Sequence, residues 1–229
     1  MLRTKGILAI WHDIEPGHED AVLEWYNREH HIERVSIPGF VRARRHSAIA
    51  GEPALFIYYE TQSPQVLGSE SYLARVNAPT EWTRHCMPHF RANSRTVCHA
   101  SVALQGAEGG YALTLRMRPE AGREHDLRNY VGEELFPSLR AEPLFLRAEL
   151  WEAVHDITTI RSTERVIRGA EDRVEAWTLV VWASDSKTIA RLATRLSDQR
   201  DLSEAGAHPD MQCGQYQLDM VLEREFIPQ

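Results

Sequence analysis

The residues best equipped for chemistry cluster between Glu24 and Phe40, in EWYNREHHIERVSIPGF. Trp25 and Tyr26 are followed by Glu29, His30 and His31. A neutral imidazole accepts a proton and its conjugate acid returns one, and a neighbouring carboxylate sets its tautomer and raises its basicity. A further histidine, His12, ends an apolar segment. These spacings nominate His30, Glu29 and His12 as catalytic groups. Trp11, Tyr26, His31, Arg44, Trp82 and His85 are the matching candidates for substrate contacts, Arg44 because a guanidinium can hold a carboxylate bidentately.

The elements that must position these residues show in an internal repeat. Leu8 and Leu113, Gly17 and Gly122, Glu19 and Glu124, Glu29 and Glu134, Pro38 and Pro143, Phe40 and Phe145 are each 105 residues apart. In both copies a strand, a Pro/Gly turn and a helix (about 18–34 and 123–140) lead through a Pro-containing break into a second strand. A third strand, ALFIYYET or AWTLVVWAS, a second helix, SPQVLGSESYLARVN or SKTIARLATRLSDQ, and a fourth strand follow. At the third strand the separation grows to 122, so the second copy carries an insertion in HDITTIRSTERVIRGAED. The order βαββαβ, twice, is the split βαβ arrangement of ferredoxin-like folds. The expected fold is α+β: two tandem repeats, residues 1–105 and 111–229, packed sheet to sheet as an internal α/β barrel, with GAEGG as the linker. Near-continuous apolar runs, IYY and LVVW, suit strands covered on both faces.

The second copy serves as a control on the first. A period of 3.6 residues places Val22, Trp25/Tyr26 and Glu29/His30 on one helical face, and Leu127, Tyr130/Val131 and Glu134/Leu135 on the other copy's. Leu135 and Phe136 stand where the first copy has His30 and His31. A buried imidazole costs free energy unless it finds partners, so its use where leucine is available points to a pocket. Glu29, shared by both copies, reads more as a structural group or as an orienting partner for an imidazole.

Composition narrows the function. With 229 residues, 43% hydrophobic and 26% charged, the chain is an ordinary globular one. A net charge of −7 without a basic run argues against nucleic acid. No apolar run approaches the length of a membrane span, and the N-terminus reads as a first strand and not as a signal sequence. Three cysteines without CxxC spacing suit free thiols in a cytoplasm. In EWTRHCMPHFR, His85 and His89 have the spacing of a helical metal pair, but Pro88 opposes a continuing helix. The expectation is a loop over the barrel mouth, with no metal. Walker, G-x-S-x-G and dinucleotide fingerprints are missing.

YNREHHIERVSIPGFVRARR resembles a segment of EthD-like proteins of the dimeric α/β-barrel superfamily: an aromatic pair, a histidine four residues after the second aromatic, and Pro-Gly eight residues further on. Trp25-Tyr26, His30 and Pro38-Gly39 match it. The proline usual shortly after the histidine is replaced here, and the second copy lacks the histidine. The resemblance implies a pocket between sheet and helix and a small-molecule substrate. Relatives in the superfamily include cofactor-independent monooxygenases, cyclases, decarboxylases, isomerases and haem-binding chlorite dismutases, which hold haem in their C-terminal half. The functional expectation is cofactor-free acid–base chemistry of lyase or isomerase type on a hydrophobic, aromatic or phenolic compound, with His30 as acid or base. The alternatives are a cofactor-independent monooxygenase, a non-catalytic binding or stress protein, and a haem protein. A homodimer is compatible with the fold.

Overall fold

The structure, a computed structural model, describes residues 5–169, 172–198 and 200–227. Ala170, Glu171, Gln199 and the chain ends, on which parts of the expected insertion, second helix and domain limits fall, lie outside the described residues.

Both copies run in the expected order. The first comprises β1 (Gly6–Ile14), α1 (Glu19–Trp25), a π-helical turn (Tyr26–His30), α2 (His31–Ser36), β2 (Phe40–Ala50), β3 (Leu55–Thr61), α3 (Glu70–Asn77), α4 (Glu81–Cys86) and β4 (Phe90–Leu104). The second comprises β5 (Tyr111–Met117), α5 (Glu124–Tyr130), a π-helical turn (Val131–Leu135), α6 (Phe136–Leu139), β6 (Phe145–Ala153), α7 (His155–Thr158), α8 (Thr163–Arg168), β7 (Trp177–Ala183), α9 (Ser186–Ser197), α10 (Arg200–Glu204) and β8 (Gln212–Glu223).

The strands form one closed antiparallel barrel in the order β1-β3-β2-β8-β5-β7-β6-β4. The two sheets therefore do more than face each other: β2 bonds to β8 and β4 to β6, so neither sheet keeps an open edge. Every residue of β3 and β7 is buried, which explains their unbroken apolar runs. Inward residues fill the lumen with Trp11, Phe56, Tyr58, Trp151, Trp182 and Tyr216. Trp11 stacks on Phe56 with ring centroids 4.9 Å apart. An eight-stranded barrel has room for little more than such side chains. Outward residues meet the helices in two separate cores, one per copy.

Two local expectations are corrected. EWTRHC is a helix, not a loop over the barrel mouth. Thr80 caps it by accepting from the Thr83 N–H at 3.0 Å, and it packs against α1. Pro88 acts as foreseen: the α-helix stops at Cys86, and Met87–His89 tightens into a 3-10 turn. The fourth strand starts at Phe90, five residues before the expected Arg95.

The insertion of the second copy folds over the first. Val154 N–H donates to the Val97 carbonyl at 2.7 Å, and Val97 N–H donates to the Thr158 hydroxyl at 3.0 Å. Further on, Thr163 N–H donates to Asn77 Oδ1 at 2.9 Å. These bonds hold α7 and α8 as a strap across the helix–sheet core of the N-terminal half.

Candidate active site

The opening stretch owes its geometry to the π turn. His31 N–H donates to the Tyr26 carbonyl five residues back, which slips the buried stripe by one position. Glu29 leaves the buried face, and His30 and His31 occupy it at 5% and 0% exposure. The second copy makes the same turn, Phe136 N–H to the Val131 carbonyl, and buries Leu135 and Phe136 while Glu134 is exposed. The stripe expected from an uninterrupted α-helix is thereby corrected. Glu29 is no imidazole's partner: its carboxylate accepts from Trp25 Nε1 at 3.1 Å and from the Thr80 hydroxyl at 2.6 Å, tying α1 to α4.

His12, His30, His31 and Tyr26 do come together, between β1 and the first helix. His12 Nδ1–H donates to the Asp13 carbonyl at 3.0 Å, which leaves Nε2 to accept from the Tyr26 hydroxyl at 2.9 Å. Its ring stacks on Phe90 at 4.0 Å. His31 Nδ1 shares a hydrogen bond with the Tyr59 hydroxyl at 2.9 Å. His30 packs on Trp25 at 4.2 Å and meets Tyr26 edge-on at 5.4 Å. Its Nδ1 is buried without a hydrogen-bond partner, as is Nε2 of His31. Such an atom forfeits about 1–3 kcal/mol.

His30 and Tyr26 line a small enclosed chamber, with Leu8, Ile10 and Phe90 on the sheet side. The strap closes it with Glu164 and Arg168. Arg34 is buried and bound by both carboxylate oxygens of Glu164. Arg168 bonds Asp172 at 2.7 Å, and Arg95 donates to the Tyr72 hydroxyl at 3.0 Å. The enclosed space is about 20 Å³, room for a water-sized molecule.

This surrounding decides protonation. Burial holds the His30 pKa well below the ordinary imidazole value, and the Arg34 cation adds to the effect. Burial lowers His12 to about 4 and His31 to about 3, with Arg45 and Arg34 contributing to the latter. All three rings are neutral at pH 7. A histidine near its ordinary pKa, able to give or take a proton alike, is therefore replaced by a neutral acceptor. Burial also raises the phenols of Tyr26 and Tyr59.

A stability prediction follows from the sign of these shifts. Unfolded histidines protonate near pH 6.5, whereas the folded ones stay neutral to about pH 4 or below. Between those values the unfolded state binds more protons, so stability falls as pH falls. At pH 5 each of His12, His31 and His46, the last buried on β2 with its pKa lowered by burial to about 3, should cost about 2 kcal/mol relative to pH 7. Urea unfolding at pH 7 and pH 5 measures this; equal stabilities would show that these rings are not neutral and buried.

The other candidates lie elsewhere. Trp11 and Arg44 face the barrel lumen on the opposite side of the sheet, where Arg44 is held by Glu108 and Glu60. The strand's two-residue alternation separates Trp11 from His12. Trp82 is half-buried and His85 exposed on α4, outside the chamber. Sequence reasoning missed Tyr59, Arg34, Glu164 and Arg168. Arg34 is four residues after His30, and helical spacing could have revealed it. Glu164 and Arg168 sit in the insertion, whose destination no local pattern encodes.

Fold and site together define the class: two ferredoxin-like repeats forming one α/β-barrel unit in a single chain, with a polar helix–sheet chamber in the N-terminal half. No family model matches the chain, and no curated protein is similar to it in sequence. Solved structures match nearly its whole length. An anthrone oxidase-like protein is 10% identical, with a TM-score of 0.67 over 97% of this chain and 94% of its own. A monooxygenase-like protein from Fusobacterium nucleatum is 8% identical (TM-score 0.60; 97% and 96%). A chlorite dismutase-like protein is 10% identical (TM-score 0.53; 95% and 95%). At such identities the likeness is one of fold. No helix among the described residues is long and apolar enough to cross a membrane.

The last neighbour raises haem, which the residues present do not fit. The helix–sheet core of the C-terminal half is filled by Leu127, Val131, Leu135, Phe136 and Leu139, and among the described residues its histidines lie at the surface: His125 and His155 are exposed and His208 is half-buried. In the N-terminal half His30 and His31 have partnerless nitrogens, but the space beside them is about 20 Å³, and a macrocycle, far larger than one aromatic ring, would also have to displace the buried Arg34–Glu164 pair from its wall.

Proposed function

We propose that the protein is a small-molecule enzyme that oxidises a hydroxy-aromatic compound without a cofactor, using His30 as base. The observation that carries this reading is His30, whose Nδ1 is buried without a protein partner, in the lining of a small enclosed chamber together with Arg34 and Arg168. His30 would take a proton from a carbon activated by a phenol or carbonyl. The arginines would stabilise the resulting enolate or phenolate oxygen, the role of preorganised charge in a dry site. His12, through Tyr26, holds the neighbouring hydroxyl in place. The carbanion supplies both electrons to dioxygen. One oxygen atom bonds to carbon, the other leaves as water with the two substrate hydrogens, and CH₂ becomes C=O.

Lyase or isomerase chemistry, the first expectation from sequence, shares the deprotonation step and stands second. Oxidation is preferred because the closed chamber suits a molecule the size of dioxygen and because fold neighbours include an anthrone oxidase-like protein. An aromatic ring exceeds the present space, so it enters when the α7–α8 strap moves outward.

The test is oxygen uptake with anthrones and related phenols, without added cofactor and with chelator present. Oxygen consumption with ¹⁸O from labelled dioxygen in the product is expected. Turnover that proceeds equally under nitrogen would move the reading to a lyase or isomerase. A panel that gives neither turnover nor a ligand-induced thermal shift would sink it.

A further inference from the structure

Outside the chamber, the fold brings Glu15 and His18 together with His89, which lies 74 positions beyond Glu15 in the sequence. Glu15 directly follows β1, His18 precedes α1, and His89 closes the 3-10 turn before β4. One ligand atom from each lies within 4.8 Å of the other two. His89 Nδ1 and Glu15 Oε2 are 2.7 Å apart, and His18 Nε2 is 4.0 Å from the same oxygen. The imidazoles of His18 and His89 stack at 3.5 Å.

Backbone bonds fix this arrangement. Glu15 N–H donates to the His89 carbonyl at 2.8 Å, and His18 N–H donates to the Glu15 carbonyl at 3.1 Å. The two chain segments are thus pinned directly beneath the ligand atoms, so little backbone ordering would remain for an ion to impose. Each side chain is partly exposed, with His18 at 39%, Glu15 at 38% and His89 at 20%.

We infer that Glu15, His18 and His89 form a binding site for a borderline divalent cation of the zinc class. Two imidazoles and one carboxylate are a ligand set for such ions, with water completing the shell. Tetrahedral coordination at about 2.1 Å asks for ligand atoms roughly 3.4 Å apart. The observed spacings bracket that value, and rotation about the side-chain bonds of His18 is enough to bring its ring out of the stack. Calcium and magnesium, which prefer all-oxygen shells, fit poorly. Arg91, which bonds the other Glu15 oxygen at 2.7 Å, works against the ion's charge but also fixes the carboxylate's orientation. The site differs from the His85/His89 pair that the sequence suggests, since His85 is exposed on α4 with its ring 6.0 Å from His89.

The test is isothermal titration of Zn²⁺ into the full, untagged chain, repeated with Mg²⁺. Saturable binding of a single zinc ion per chain, with no heat from Mg²⁺, is expected. His18→Ala and Glu15→Gln should each abolish it; His18 is a surface residue, so its variant is expected to melt as the native chain does. His85→Ala and Cys86→Ala should leave binding intact. No stoichiometric binding by the native chain, or binding that survives His18→Ala and is lost in His85→Ala, overturns the assignment.

Discussion

His30→Leu should lower turnover by roughly 10²–10⁴-fold, the range for loss of a general base, while the melting temperature holds or rises. The stability half of this expectation comes from two features. The Nδ1 of His30 already lacks a partner, so its removal orphans nothing. The second copy shows the replacement in place, because Leu135 sits at the same position of the same π turn and is buried. A leucine there relieves the buried polar atom, a change near neutral or favourable by up to about 1–3 kcal/mol. Leu135→His is the reciprocal variant and should destabilise by a similar amount, since the core around it offers only apolar groups. Turnover on a phenolic substrate and thermal melting of both variants make the measurement. A His30→Leu enzyme with unchanged turnover, or one that loses activity only because it unfolds, would place the histidine among the structural residues.

The second large effect is on folding. Glu164→Gln should destabilise the protein by about 3–5 kcal/mol, because it leaves the Arg34 cation, 2% exposed, without its counter-charge. Arg34→Met should cost less than that once Glu164 is also made apolar: the double variant Arg34→Met, Glu164→Leu should fold with stability near that of the native chain. Chemical denaturation of the two single variants and the double variant closes the cycle. The coupling would vanish if the pair were solvated, and the double variant would then lose as much as the singles combined.

The fold was largely legible because its determinants are periodic. Strand alternation, Pro/Gly turns and the 105-residue repeat are all local or self-referential patterns, and they identified eight strands and their order. The need to cover two sheet faces points to sheet-to-sheet packing, but the edge bonds β2–β8 and β4–β6 that close the barrel have no local signal. The site was legible in part. His12, Tyr26, His30 and His31 share the outward side of the sheet, but Trp11 and Arg44 were grouped with them although strand alternation turns them inward. Glu29 was misplaced by the π turn, a one-residue slip that a regular helical period cannot show. The position of Trp82 and His85 between the second helix and the fourth strand suggests a loop over the barrel mouth; Thr80 caps a further helix there instead. Glu164 and Arg168 were beyond reach: nothing near them in sequence states that residues of the second copy end on the first.

The strap built by α7 and α8 also bears on symmetry. A barrel made from two identical chains repeats every residue across its axis, so an addition that seals one chamber must appear over the other as well. Joining the copies in one chain removes that constraint. Here the C-terminal half has a solid apolar core, and it gives a length of its own chain to roof the N-terminal half. The N-terminal half lines the chamber with His30, Tyr26 and Arg34, and the other half adds Glu164 and Arg168 to its wall. The fused chain therefore contains a chamber that neither half could complete alone, and residues 1–105 expressed by themselves would lack both the roof and the counter-charge for Arg34.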